Sequence, residues 1–293
     1  MRKRYKRLIK NLKEILQRPD MSILPGQLAF SFFLSLVPTL TILFYFAAFL
    51  HISLSDVMTY FNFSIDDSIL TLITPYIEST EASFGLFILL VVGIYMASNG
   101  MNSIIVTANN IYGIEQTPFL ERRIKAIIMV FIVIMLLLFI LLVPVFGNFL
   151  MSLIIRMTGN SSFYDFLSFL KLPFSWFVIF FFIKILYTIA PDKQIPSAYV
   201  NLGALFTSIS WIVATQVYLY YVGHFANYSL YYSGLSNIAI LLILVYILST
   251  VFVIGMGLNY KEESYEIERT QKIRELKNAK KNQHKNDSRK LKY

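Results

Sequence analysis

The residues of this chain best placed to do chemistry are polar groups set inside long apolar runs. Lys184 is the sharpest of them, the one charge inside a predicted membrane span, Leu172–Ala190. An ammonium within the hydrocarbon is costly and generally faces a cavity or a partner. Snorkelling is the competing reading, because Lys184 lies about 9 Å of helix before Ala190 and its stem can reach the headgroups. Gln27, Ser31 and Ser35, continued by Thr39, recur at i, i+4 and form a polar stripe along an otherwise apolar span. Asn99 and Asn102 sit in the second apolar run, and Asn201 and Ser208 in the fifth. With both chain ends inside, Gln27, Ser31, Asn99, Asn102, Lys184, Asn201 and Ser208 are expected at similar depth, around a polar cavity facing the cytoplasm. A lysine beside neutral amides, with no carboxylate in reach, suits an anionic ligand such as a phosphate headgroup. Gln27, Ser31, Ser35, Asn99, Asn102, Lys184, Asn201 and Ser208 are therefore the candidate substrate-binding set. The alternative for the small hydroxyls and amides is helix-to-helix packing, their ordinary use in bundles.

Other chemistries find little support. The chain has no cysteine, so disulfides and thiolate chemistry are excluded. His51, His224 and His284 are far apart, and no tight ligand spacing joins the carboxylates Asp56, Asp66, Asp67, Glu78 and Glu81. Phosphodiester cleavage needs metal ligands or paired acid and base groups, and no such cluster is apparent. No glycine-rich phosphate loop occurs. The chain is thus expected to be no enzyme and to need no metal or cofactor.

The elements that must position the polar groups are membrane helices. Hydrophobic residues make up 56% of 293, charged residues only 15%, and mean hydropathy is +0.61. This fits an all-α polytopic membrane protein. Six spans are predicted, at about 27–50, 84–106, 126–145, 172–190, 199–222 and 238–258, with short interfacial helices in 51–83 and 148–171. Gln27–Leu50 carries no charge and as a helix reaches about 36 Å, enough to cross a bilayer with some tilt. Pro38 is expected to kink it, and Pro144 and Gly147 to mark the outer end of the third span. Residues 1–20 form a basic amphipathic helix, 21–258 the membrane domain, and 259–293 a charged tail, helical to about Lys281 and disordered after it.

The net charge of +9 gathers beside the spans. It therefore reads as an orientation signal and a contact for anionic lipid headgroups, not as a nucleic-acid site. Placing both ends in the cytoplasm puts 23 of the 26 Lys and Arg inside and two outside, with Lys184 in a span. A transporter or lipid flippase is the favoured function, and a non-transporting scaffold of the cell envelope the alternative.

The order of several short motifs resembles the YihY/BrkB family of bacterial inner-membrane proteins, once labelled ribonuclease BN. The resemblance runs over about residues 20–260. It rests on LAFSFFLSLVP at 28–38, NNIYG at 109–113 with Arg122–Arg123, and Tyr187 followed by Ala190–Pro191. It continues through Gly203–Ala204 with Trp211, YYSGL at 231–235, and Gly255 to Asn259. It implies six helices, a cell-membrane location and a transport activity whose substrate is not fixed. The family carries an acidic residue in its closing motif where this chain has Gly257 or Leu258.

Overall fold

A backbone surrounded by hydrocarbon must satisfy its own hydrogen bonds, and helices do so within one segment. The computed structural model describes residues 2–49, 84–158, 161–225 and 233–290, and among them there are seven α-helices and no strand. They are α1 (Arg2–Leu16), α2 (Leu24–Phe49), α3 (Phe84–Tyr112), α4 (Phe119–Thr158), α5 (Ser161–Ile189), α6 (Asn201–Phe225) and α7 (Ser233–Lys290). Among the described residues four stretches are long and apolar enough to cross a membrane: Pro19–Leu43, Leu90–Tyr112, Asn201–His224 and Ile238–Asn278. Trp176–Ile189 is a shorter apolar helix.

Local sequence explains three of the helix ends. Arg18 precedes a proline and is extended, which stops α1 and starts the 3-10 turn Pro19–Ser22. Gly113 adopts a left-handed φ of 66°, and the amide of Ile114 bonds back to the Asn109 carbonyl, closing α3. Pro191 lacks the N–H that would extend α5.

Several expectations change. α4 does not stop at Pro144 and Gly147 but runs through them to Thr158, and α5 begins at Ser161. Among the described residues of 148–171 the chain belongs to α4 or α5, and no separate interfacial helix stands between them. Pro38 lies inside α2, which stays one helix from Leu24 to Phe49, a course that the expected kink allows. α7 continues to Lys290, beyond the expected break at Lys281. The interfacial helix expected in 51–83 lies outside the described residues.

Two apolar cores hold the helices. The larger lies at the end of the bundle nearest α1 and draws on α2 to α7 through Leu28, Ile104, Met129, Ile183, Ala204 and Phe252. The smaller takes Ile42 and Leu43 from α2, Ala97 from α3 and Val130, Ile134 and Leu138 from α4. α7 packs on α1, α2, α3 and α6, while α5 packs on α4 and α6. The helix pairs α2–α3 and α5–α6 are thus joined mainly through α7.

Candidate functional site

Three polar clusters and one isolated cation stand out. The first joins α3 and α4. α3 and α4 form an antiparallel hairpin, so the first turn of α4 lies beside the middle of α3. Arg123 donates to the Asn99 side-chain oxygen at 2.9 Å, and its guanidinium stacks 3.7 Å from the Tyr95 ring centroid. Arg122 donates to Asn102 at 3.0 Å and to the Thr117 carbonyl at 3.3 Å. Both candidate amides are therefore occupied by guanidinium groups.

The second cluster centres on Asp192, in the connection between α5 and α6. Its carboxylate accepts from Asn109 at 2.7 Å, from Thr117 at 2.9 Å and from the Lys125 ammonium. The Asp192 amide returns a hydrogen bond to the Asn109 side-chain oxygen at 2.9 Å. Lys125 also donates to the carbonyls of Ala190 and Pro191, at 2.8 and 3.0 Å. Burial alone would raise the Asp192 pKa. The hydrogen bonds from Lys125, Asn109 and Thr117 outweigh it and hold the carboxyl below its ordinary value. This group ties α3, α4 and the α5–α6 connection together.

The third is a seam between α5, α6 and α7. Tyr187 shares a 2.7 Å hydrogen bond with Thr207 and donates to the Phe252 carbonyl at 2.8 Å. Trp211 donates to the Leu248 carbonyl at 2.9 Å, and the Gly203 amide donates to the Asn259 side-chain oxygen at 2.7 Å. A Cβ on Gly203 would collide with the Gly255 carbonyl, and one on Gly255 with Thr207 and the Tyr187 hydroxyl. The two backbones can approach this closely only without side chains.

Lys184 lies half-buried on α5, between the core-facing Ile183 and Tyr187 and the exposed Phe181. Its ammonium is 5.9 Å from the Phe181 ring centroid and has no carboxylate or hydrogen-bond partner among the described residues.

The remaining candidates spread out. Gln27 and Asn201 are exposed and Ser31 is half-buried. Ser35 is buried against Gly100 and bonds its own helix at Phe32, while Ser208 is buried and bonds its own helix at Leu205. The structure brings Asn99 and Asn102 together on one face of α3. Among the described residues no hydrogen bond or ion pair joins Lys184, Asn201 or Ser208 to them.

The family described as Virulence factor BrkB matches residues 14–282. The chain belongs to the BrkB family. A relative from Bacillus subtilis (strain 168), named "Putative ribonuclease-like protein YfkH", is 30% identical over 243 residues, covering 80% of this chain and 87% of its own length. UPF0761 membrane proteins of Idiomarina loihiensis and Haemophilus influenzae are 27% and 28% identical over 97 and 92 residues, about a third of each chain. No solved structure matches. Within this BrkB chain, Asn109 of NNIYG bonds Asp192. Tyr187, Gly203, Trp211, Gly255 and Asn259 together make the α5–α6–α7 seam. At Gly257, which with Leu258 stands where the closing motif carries its acid, a Cβ would lie 2.9 Å from the Ile15 side chain of α1.

Proposed function

We propose that this BrkB-family membrane protein crosses the cell membrane six times, with both termini in the cytoplasm, and transports an anionic or lipid-linked substrate. The observation that carries the transport reading is Lys184. A half-buried ammonium without a counter-charge among the described residues, on a helix as apolar as Trp176–Ile189, is where an anion would be compensated. The 23-to-2 partition of basic residues supports the orientation. Anionic lipid headgroups are the partners expected of the basic termini. Gln27, Ser31, Ser35, Asn99, Asn102, Asn201 and Ser208 remain the proposed polar contacts, with Lys184 as the positive anchor.

The scaffold reading has its own support in the guanidinium groups that occupy Asn99 and Asn102 and in the apolar core at the α1 end. Reconstituted transport, or complementation of a deletion strain, separates the two. Lys184→Ala should abolish activity at unchanged membrane abundance, and Lys184→Arg should keep part of it. Native behaviour of Lys184→Ala would favour the scaffold. Because the chain lacks cysteine, orientation is tested by single substitutions: Ser161→Cys should react with an impermeant thiol reagent in intact cells, and Ser197→Cys should not.

A further inference from the structure

We infer that Arg122 and Arg123 form a binding site for the phosphate of an anionic phospholipid, in the cleft between α3 and α4. Arg123 is 8% exposed, and its Nε is buried without a hydrogen-bond partner. Arg122 beside it is half-buried. Among the described residues neither guanidinium has a carboxylate in salt-bridge range; their contacts are the neutral oxygens of Asn99, Asn102 and Thr117 and the Tyr95 ring. A buried guanidinium at Arg123, with a second, half-buried one beside it, favours an anion, since neutral acceptors orient a guanidinium without cancelling its charge. The first turn of α4 adds the positive end of its helix dipole. Paired guanidinium forks match the oxygens of a phosphate.

The surroundings favour a lipid over a free ion. Ile88, Val92 and Tyr95 are exposed along the same face of α3 that carries Asn99 and Asn102. Ile124, Ile128, Phe131 and Met135 form an exposed apolar stripe along α4, beginning at the residue after Arg123. An acyl chain would lie along these rows with its phosphate at the arginines, as basic pockets between membrane helices hold anionic headgroups. The site rests on the membrane-spanning reading and shares Asn99 and Asn102 with the proposed substrate contacts, but its cations are Arg122 and Arg123 and not Lys184.

The test is native mass spectrometry of the full-length protein, delipidated and then titrated with phosphatidylglycerol or phosphatidylcholine. Wild type should retain one phosphatidylglycerol in preference to phosphatidylcholine. Arg122→Gln, at the more accessible of the two arginines, should weaken retention by roughly tenfold, the loss of one charge-assisted contact. Arg123→Lys should weaken it less than Arg123→Gln, because the charge stays and the fork is lost. Unchanged retention in Arg122→Gln that unfolds at the wild-type temperature would overturn the assignment. Displacement by millimolar inorganic phosphate alone would overturn the lipid as occupant.

Discussion

α7 is held in two different ways along its length. Between Phe252 and Asn259 it meets α5 and α6 through bare backbone: Gly203 against Gly255, with the Tyr187 hydroxyl and the Asn259 amide closing the hydrogen bonds. A few residues further on it meets α1 through charge. Arg7 pairs with Glu262 at 3.4 Å and stacks 4.2 Å from the Tyr265 ring centroid, and Lys261 pairs with Glu14 at 2.7 Å. Where water is absent, adhesion comes from close packing and satisfied polar groups, and small residues permit it. Where water is present, charged pairs define the partner but contribute little, being screened and costly in side-chain entropy. Gly257 marks the change, since its neighbour is the Ile15 side chain of α1 and not backbone.

The sharpest way to break this comparison is to put side chains at the glycines. Gly203→Val or Gly255→Val strikes a carbonyl, a threonine and a tyrosine hydroxyl that cannot swing away, and should cost more than about 3 kcal/mol. The expected readout is loss of detergent-soluble folded protein on size-exclusion chromatography. Gly257→Ala should cost about 1 kcal/mol, because Ile15 can give, and Ile15→Ala should relieve the strain in the double variant. Equal damage at positions 255 and 257 would dissolve the distinction between the two contacts.

The Asp192 cluster is predicted to fall between. Asp192→Asn should cost about 2 kcal/mol near neutral pH, the loss of charge-assisted hydrogen bonds to Lys125 and its neighbours. The folded pKa is depressed, so the carboxylate's contribution is complete above the unfolded value of about 3.9 and is lost as pH falls through the lower folded value. Thermal unfolding of wild type and Asp192→Asn should therefore differ at pH 7 and converge at strongly acid pH. A constant difference across that range would mean that the charge is not what the site uses.

The smallest effect is expected at the charged contact. A double-mutant cycle on Arg7→Ala and Glu262→Ala should return a coupling below about 1 kcal/mol that shrinks further in high salt. A larger, salt-insensitive coupling would place the α1–α7 contact in the same class as the seam.

The two kinds of contact were unequally legible beforehand. The alternation of Lys and Arg with Leu8, Leu12 and Ile15 announces α1, and charge-free runs announce the apolar helices, because both signals are local and periodic. The length of α4 was hidden by Pro144 and Gly147, whose breaking tendency is overridden where an unpaired backbone has no water to turn to. Asp192 could not be found by spacing, since its partner Asn109 lies 83 residues away, on the last turn of α3, while Asp192 sits in the connection after α5. The arginine cluster left a usable trace. Asn99 and Asn102 are 24 and 20 residues from Arg123 and Arg122, so folding the chain back at Gly113 brings each amide level with its guanidinium. The glycine seam left only the glycines themselves, because what makes Gly203 necessary is the approach of Gly255 from a different helix.

The unbroken course of α7 makes it a lever. Its 58 residues reach about 87 Å as one helix, of which about 46 Å extends beyond Asn259. The glycine seam is a tight fulcrum near the middle of this rod, and the α1 contact is a brace set just past it. A tilt of about 10° at the seam would swing the far tip by about 8 Å. Motions within the bundle too small to alter its packing are thus multiplied at the end of the rod, where Arg7, Glu14, Lys261 and Glu262 set how stiffly it is held.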